Sequence, residues 1–228
     1  MFKHGIDQDA LIKQFSDATA QQGEALRKAV NEATLKALQG RELTLANIKQ
    51  VLGTVAKAAS TGAANNPLAE VDVEALLGKA MAGMDGALQQ AVKANRRALQ
   101  QMVDQGADLR EGQVKKALAD IEKMEDALFD SVRKAAAGAG AKLEGPWAEV
   151  LKATQTKGSG TGAQAAAAIE QLMDSAQKNL REGRALGLKA SQALLDSYAT
   201  LVSGVLIGMS DALQQGVDKP ASTGGRKK

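Results

Sequence analysis

Residues 186–213 read LGLKASQALLDSYATLVSGVLIGMSDAL, the densest apolar run in the chain, with no Lys or Arg after Lys189. Its large apolar residues are Leu194, Leu195, Tyr198, Leu201, Val202, Val205, Leu206, Met209 and Leu213. They recur three and four apart, which winds them into one wide stripe on an α-helix. Gly204 and Gly208 lie four apart on the same cylinder, a small-xxx-small spacing that lets another backbone approach closely. The rest of the chain reads as amphipathic helix that shares or covers this stripe. The uncharged run between Asp196 and Asp211 is 14 residues long, short of the roughly 20 that a membrane-spanning helix needs. A buried or interfacial helix is therefore expected, and no transmembrane span.

Bulk composition narrows the class. The chain has 228 residues, room for one long domain or two small ones. Hydrophobic residues make up 44% and aromatic residues only 2%, so the apolar content is mostly Ala with Leu, Val and Met. Each Ala buries little area, which fits long, closely packed helices better than a β-sandwich or an enzyme with a deep pocket. No segment sustains period-two alternation. Cysteine is absent, so there is neither a disulfide framework nor a thiolate site. The 29 basic and 26 acidic residues are interleaved and leave a net charge of +3, unlike a dedicated nucleic-acid binder. The opening MFKHGIDQDALIKQF lacks the apolar stretch of a secretory signal. The expected location is the cytoplasm, including the surface of an inclusion or a membrane.

Taken in order, the pattern predicts a first helix from Asp7 to about Leu38, stopped by Gly40. A second runs from a Thr44 cap through Ile48, Val51, Leu52 and Val55 to Ala59. The string Ser60–Pro67, STGAANNP, reads as a linker. A third helix starts at Asp72, amid acidic residues that favour a helix start, and carries Leu77, Met81, Met84, Leu88, Val92, Leu99 and Met102. Asn95 sits at a seam position, where a polar residue fixes register. After Gly106, Asp108–Glu111 makes a capping box for a fourth helix through Val114, Leu118, Ile121, Met124, Leu128 and Val132. The short turn predicts an antiparallel hairpin of helices three and four. Pro146 reads as the first residue of a short helix carrying Trp147, Val150 and Leu151. Lys157–Gly162, KGSGTG, reads as a second linker, with Thr161 and Gln164 capping one last helix. Continued to about Gln215, that helix is roughly 80 Å long, with a bend allowed at Gly183 and Gly187. A basic tail, PASTGGRKK, follows. Glu24–Leu38 and Gly86–Gln101 are alike in pattern, but no fixed period supports a solenoid.

Residues that could carry chemistry are sparse. His4 is the lone histidine, and a catalytic or metal site needs convergent partners from elsewhere. Glu122 and Asp126 share a helical face that reads as solvated. GSGTG, 158–162, lacks the GK[ST] ending of a phosphate loop and reads as a flexible linker. Trp147 reads as a packing anchor. Met81, Met84, Met102 and Met124 read as core filling, the alternative being an adaptable greasy face. Gly53, Gly78, Gly83, Gly86, Gly183, Gly187, Gly204 and Gly208 are many for a helical protein. Each costs roughly 1 kcal/mol against Ala, so they imply close packing or a loose fold.

Two resemblances add to this reading. DLREGQVKKALADIEKMEDALFDSVRKAA, 108–136, and GRALGLKASQALLDSYATLVSGVLIGMSDAL, 183–213, resemble the central and C-terminal helices of an uncharacterised proteobacterial all-helical family. That resemblance covers about half the chain and brings no catalytic residues. The Ala- and Gln-rich helices, absent cysteine and long weakly apolar helix are also similar to phasins, the coat proteins of polyhydroxyalkanoate granules. The phasin resemblance implies a non-enzymatic role: coating a hydrophobic inclusion, limiting coalescence and recruiting partners.

The expected fold is all-α, an elongated bundle of five or six amphipathic helices with a long C-terminal helix. Its expected segments are 1–65, a helical hairpin over 66–145, a C-terminal unit over 146–216 and a disordered basic tail over 217–228. The expected function is a non-enzymatic scaffold or coat, without metal or cofactor. It self-associates as a homo-oligomer or binds a hydrophobic granule or membrane surface through the Leu194–Leu213 stripe. The alternative is a nucleic-acid binder using Arg226, Lys227 and Lys228 with the pairs Arg96–Arg97 and Lys115–Lys116.

Overall fold

One helix, Val73–Asp104, touches most of the others, and its sequence explains why. Buried residues recur along it in adjacent pairs: Leu76 and Leu77, Ala80 and Met81, Gly83 and Met84, Ala87 and Leu88, and so on to Met102 and Val103. Pairs three to four residues apart give a stripe too wide for one partner. At 32 residues the helix is about 48 Å long. The organising element is therefore this third predicted helix and not the C-terminal run.

The computed structural model describes residues 6–20, 23–39, 43–65, 72–105, 107–109, 112–181, 198 and 201–209. It is all-α, with no strand among the described residues. The helices are α1 Gln8–Ala20, α2 Gly23–Gln39, α3 Leu45–Ala64, α4 Val73–Asp104, α5 Gly112–Glu122, α6 Met124–Ala137, α7 Ala141–Lys157 and α8 Gly160–Arg181. Residues 201–209 are also helical. The expectation of five or six helices is thus corrected to eight among the described residues, with a helical C-terminal segment besides.

Several starts fall where side-chain chemistry places them. Thr44 and Asp72 accept the amides of Asn47 and Ala75 at 3.3 and 3.0 Å, capping α3 and α4 as expected. Other boundaries differ. The single helix expected from Asp7 to Leu38 is two: α1 packs mainly on α3, and α2 on α4. The fourth helix is interrupted at Lys123, with α6 packed chiefly on α3 and lightly on α4. The expected hairpin of helices three and four is therefore not the main pairing.

Helix α3 runs through the first supposed linker to Ala64, burying Ser60, Gly62 and Ala63. There the indole Nε1 of Trp147 donates to Ser60 Oγ at 2.9 Å, and Ser60 donates to Ala56 O at 2.7 Å. Trp147 is the packing anchor expected, and it is fully buried. Helix α7 begins at Ala141, after Gly140 at φ 87°, so Pro146 lies inside it and not at its start.

Glycine settles the α2–α4 crossing. A Cβ at Gly83 would meet Arg27 O at 2.6 Å and Val30 Cβ at 2.9 Å, and Asn31 Nδ2 donates to Gly83 O at 3.1 Å. Glu24, beside Lys79 and Arg27, ties the start of α2 to α4. Hydrogen bonds from those two side chains hold its carboxyl down at about 2. One continuous apolar core runs through all eight helices and includes Val202 and Leu206. Met81, Met84, Met102 and Met124 are core, whereas Met173 is exposed.

The long C-terminal helix is corrected most. Gly160, Ser175 and Asn179 of α8 meet Asp85, Gln100 and Val103 of α4 in rising order, so the two helices run parallel. Tyr198 then meets Asn95. In one straight helix Tyr198 would lie about 28 Å beyond Asn179, past the end of α4. The chain has instead turned back toward the N-terminal part of α4. His4 and the basic tail lie outside the described residues.

Candidate interaction cleft

The returning segment is held to α4 by a buried polar contact. Asn95, on the apolar side of α4, is only 3% exposed. Its Nδ2 donates to Ala91 O at 3.0 Å, and its Oδ1 accepts the Tyr198 hydroxyl at 2.6 Å. Burial pushes the Tyr198 phenol above its usual value of 10.0, with the Asp120 carboxylate adding to the effect. Tyr198 therefore stays a protonated donor. Ser203 Oγ reaches Gln39 O at 3.4 Å, at the end of α2. The seam position thus meets the C-terminal segment.

The stripe divides. Val202 and Leu206 are buried, and Tyr198, Leu201 and Val205 pack half-buried against the core. Met209 is half-buried, and Ile207 is 43% exposed. Gly204 and Gly208 are exposed, and a Cβ at either would meet nothing within 4 Å. Among the described residues, then, no backbone uses their close-approach spacing. Leu194, Leu195 and Leu213 lie outside the described residues.

Val205, Gly208 and Met209 form one side of a cleft of about 890 Å³. The other side is the polar face of α4: Gly86, Gln89, Gln90, Lys93, Arg96, Arg97, Gln100 and Gln101. Among the described residues no acid lines it, and Lys93, Arg96 and Arg97 make no ion pair. Gln90 also lines the cleft, while its Oε1 is shut off from solvent with no hydrogen-bond partner among the described residues. Sequence reading singled out Arg96–Arg97 but missed the cleft. Nothing local shows that a segment more than a hundred residues later lies opposite.

The other sequence candidate, GSGTG, is neither a linker nor a phosphate loop. Only Gly158, at φ 76°, and Ser159 separate α7 from α8. Four amides at the start of α8 are satisfied internally. Gly160 and Thr161 donate to Asp85 Oδ2 and Oδ1 at 3.0 and 2.8 Å. Gly162 donates to Ser159 Oγ at 2.9 Å and Ala163 to Ser159 O at 3.2 Å. Ser159 in turn donates its amide and hydroxyl to Glu125 Oε1 at 3.2 and 2.7 Å. The cap is Ser159 and not Thr161, whose hydroxyl is buried and donates to Asp85 O at 3.1 Å. Asp85 and Glu125 occupy the place an anion takes at a helix N-terminus. At Gly160 and Gly162 the side-chain ends of Gln89 and Glu125 lie where a Cβ would stand, so a larger residue there would have to displace them.

Among the described residues, no group of three or more His, Cys, Asp or Glu is placed to hold a metal ion. No described helix is long and apolar enough to cross a membrane. The chain belongs to DUF6781, a family of unknown function whose model matches residues 1–215. The expected kinship with an uncharacterised family thus extends over nearly the whole chain, not half of it. No curated protein and no solved structure matches the chain.

Proposed function

We propose that this member of DUF6781 is a non-enzymatic scaffold or coat protein whose C-terminal apolar segment exchanges between two partners. In one state it lies on α4; in the other it lies on a hydrophobic surface, as phasin-like granule association requires. The observation carrying this reading is the mismatch at the cleft, where Val205 and Met209 face glutamines and cations. Burial of Val202 and Leu206 contributes about 1.5–3 kcal/mol each. Only Val202 and Leu206 of the described segment are fully buried, so the packed segment can be given up for a better apolar partner. A coat needs only that partner to be an apolar surface, and it needs no catalytic group.

Binding to triolein droplets tests this. Leu201→Asp with Val205→Asp changes two half-buried side chains, so helicity by circular dichroism should stay within a few per cent of wild type while droplet binding is lost. Tyr198→Phe keeps the stripe but removes the hydrogen bond to Asn95. At about 1 kcal/mol for such a bond, droplet binding should rise about fivefold. If the double Asp variant is folded and binds droplets as wild type does, the stripe is not the contact surface. The nucleic-acid alternative has three cleft cations without an ion pair among the described residues in its favour and the interleaved acids of the chain against it.

A further inference from the structure

We infer that the cleft between α4 and residues 201–209 is a binding site for the headgroup of an anionic phospholipid. Two features converge. Among the described residues, Lys93, Arg96 and Arg97 present three cations with no lining acid to neutralise them. Arg96 and Arg97 supply forked donors that match phosphate oxygens. Val205 and Met209 line the opposite side, where the first methylenes of an acyl chain would lie. At about 890 Å³ the cleft falls within the usual range for small-ligand sites.

The three cations span five residues of helix, a rise of about 6 Å, enough for one or two phosphates. A duplex nucleic acid is held by many more contacts along a basic stripe, and a free phosphate leaves the apolar wall unused. The inference rests on the coat reading and deepens it: the headgroup site is walled by the apolar segment, so lipid charge brings the protein to the surface that the segment then meets.

The test is flotation of the full chain with phosphatidylcholine vesicles containing about a third phosphatidylglycerol. Near a membrane surface each cation is worth about fivefold, so Lys93→Gln with Arg96→Gln and Arg97→Gln should weaken binding on the order of a hundredfold. A control set, Lys57→Gln with Lys134→Gln and Lys142→Gln, alters three exposed lysines elsewhere and removes the same net charge. It should cost only a few-fold.

Equal losses in the cleft and control sets would overturn the site. So would full displacement by millimolar inorganic phosphate, or duplex DNA binding tighter than vesicle binding and lost in the cleft variant. Neutral triolein droplets separate the two readings. Normal droplet binding with no cleft-dependent vesicle binding defeats the headgroup site alone. Cleft-dependent vesicle binding without droplet binding defeats the coat reading alone.

Discussion

Trp147→Ala is expected to lower the unfolding free energy by about 3–5 kcal/mol, the range for truncating a fully buried large aromatic. Trp147 is completely buried, and its indole N–H joins α7 to α3 through Ser60. Truncation removes both the packing and the hydrogen bond at the junction of two helices. Trp147→Phe should cost about 1–3 kcal/mol: Ser60 keeps its own acceptor, Ala56 O, and most of the ring volume remains. Urea titration followed by circular dichroism measures both, because the only tryptophan of the chain is lost as a fluorescent probe. A loss below about 1 kcal/mol for the Ala variant would show that this junction does not hold the bundle.

Asp85→Ala should cost about 3 kcal/mol. The half-buried carboxylate accepts the Gly160 and Thr161 amides and the Gln89 side chain. Each orphaned amide costs about 1–3 kcal/mol, and the favourable charge at the start of α8 is lost as well. Asp85→Asn keeps one acceptor oxygen and should fall between wild type and Ala. Hydrogen exchange provides a local readout: amides 160–163 should lose protection in Asp85→Ala before those of α4 do. Unchanged protection there would mean that water replaces the carboxylate at little cost.

These two positions also show what a linear reading reaches. The apolar stripe of α4, its Asp72 cap and the Thr44 cap are local patterns, and they fold as their spacing dictates. GSGTG and STGAANNP are also local patterns, but tertiary partners decide them. Glycine at 160 and 162 serves close approach to Gln89 and Glu125 instead of chain freedom. Ser60 is a small polar residue that a tryptophan 87 positions away turns into a core contact. Asp85 appears as an isolated acid beside the apolar stripe of α4, and only the fold shows that α8 starts on it. Pro146 marks a helix start by preference, yet Gly140, at φ 87°, starts α7 earlier. The C-terminal stripe was legible as a stripe. Its direction was not, because one continuous period conceals a reversal that only the Tyr198–Asn95 contact reveals.

That reversal underlies the whole functional reading, and one distance tests it. The chain has no cysteine, so Ala82→Cys with Ile207→Cys places spin labels at two exposed positions only. Ala82 lies one turn before Gly86, the first α4 residue that lines the cleft. With the segment folded back, the free protein should give a distance within about 25 Å, two helix diameters. Adding triolein droplets should lengthen and broaden it as the segment leaves α4. A free-state distance on the order of 70 Å, as one straight helix continuing from α8 would give, or a short distance that droplets leave unchanged, would contradict the account.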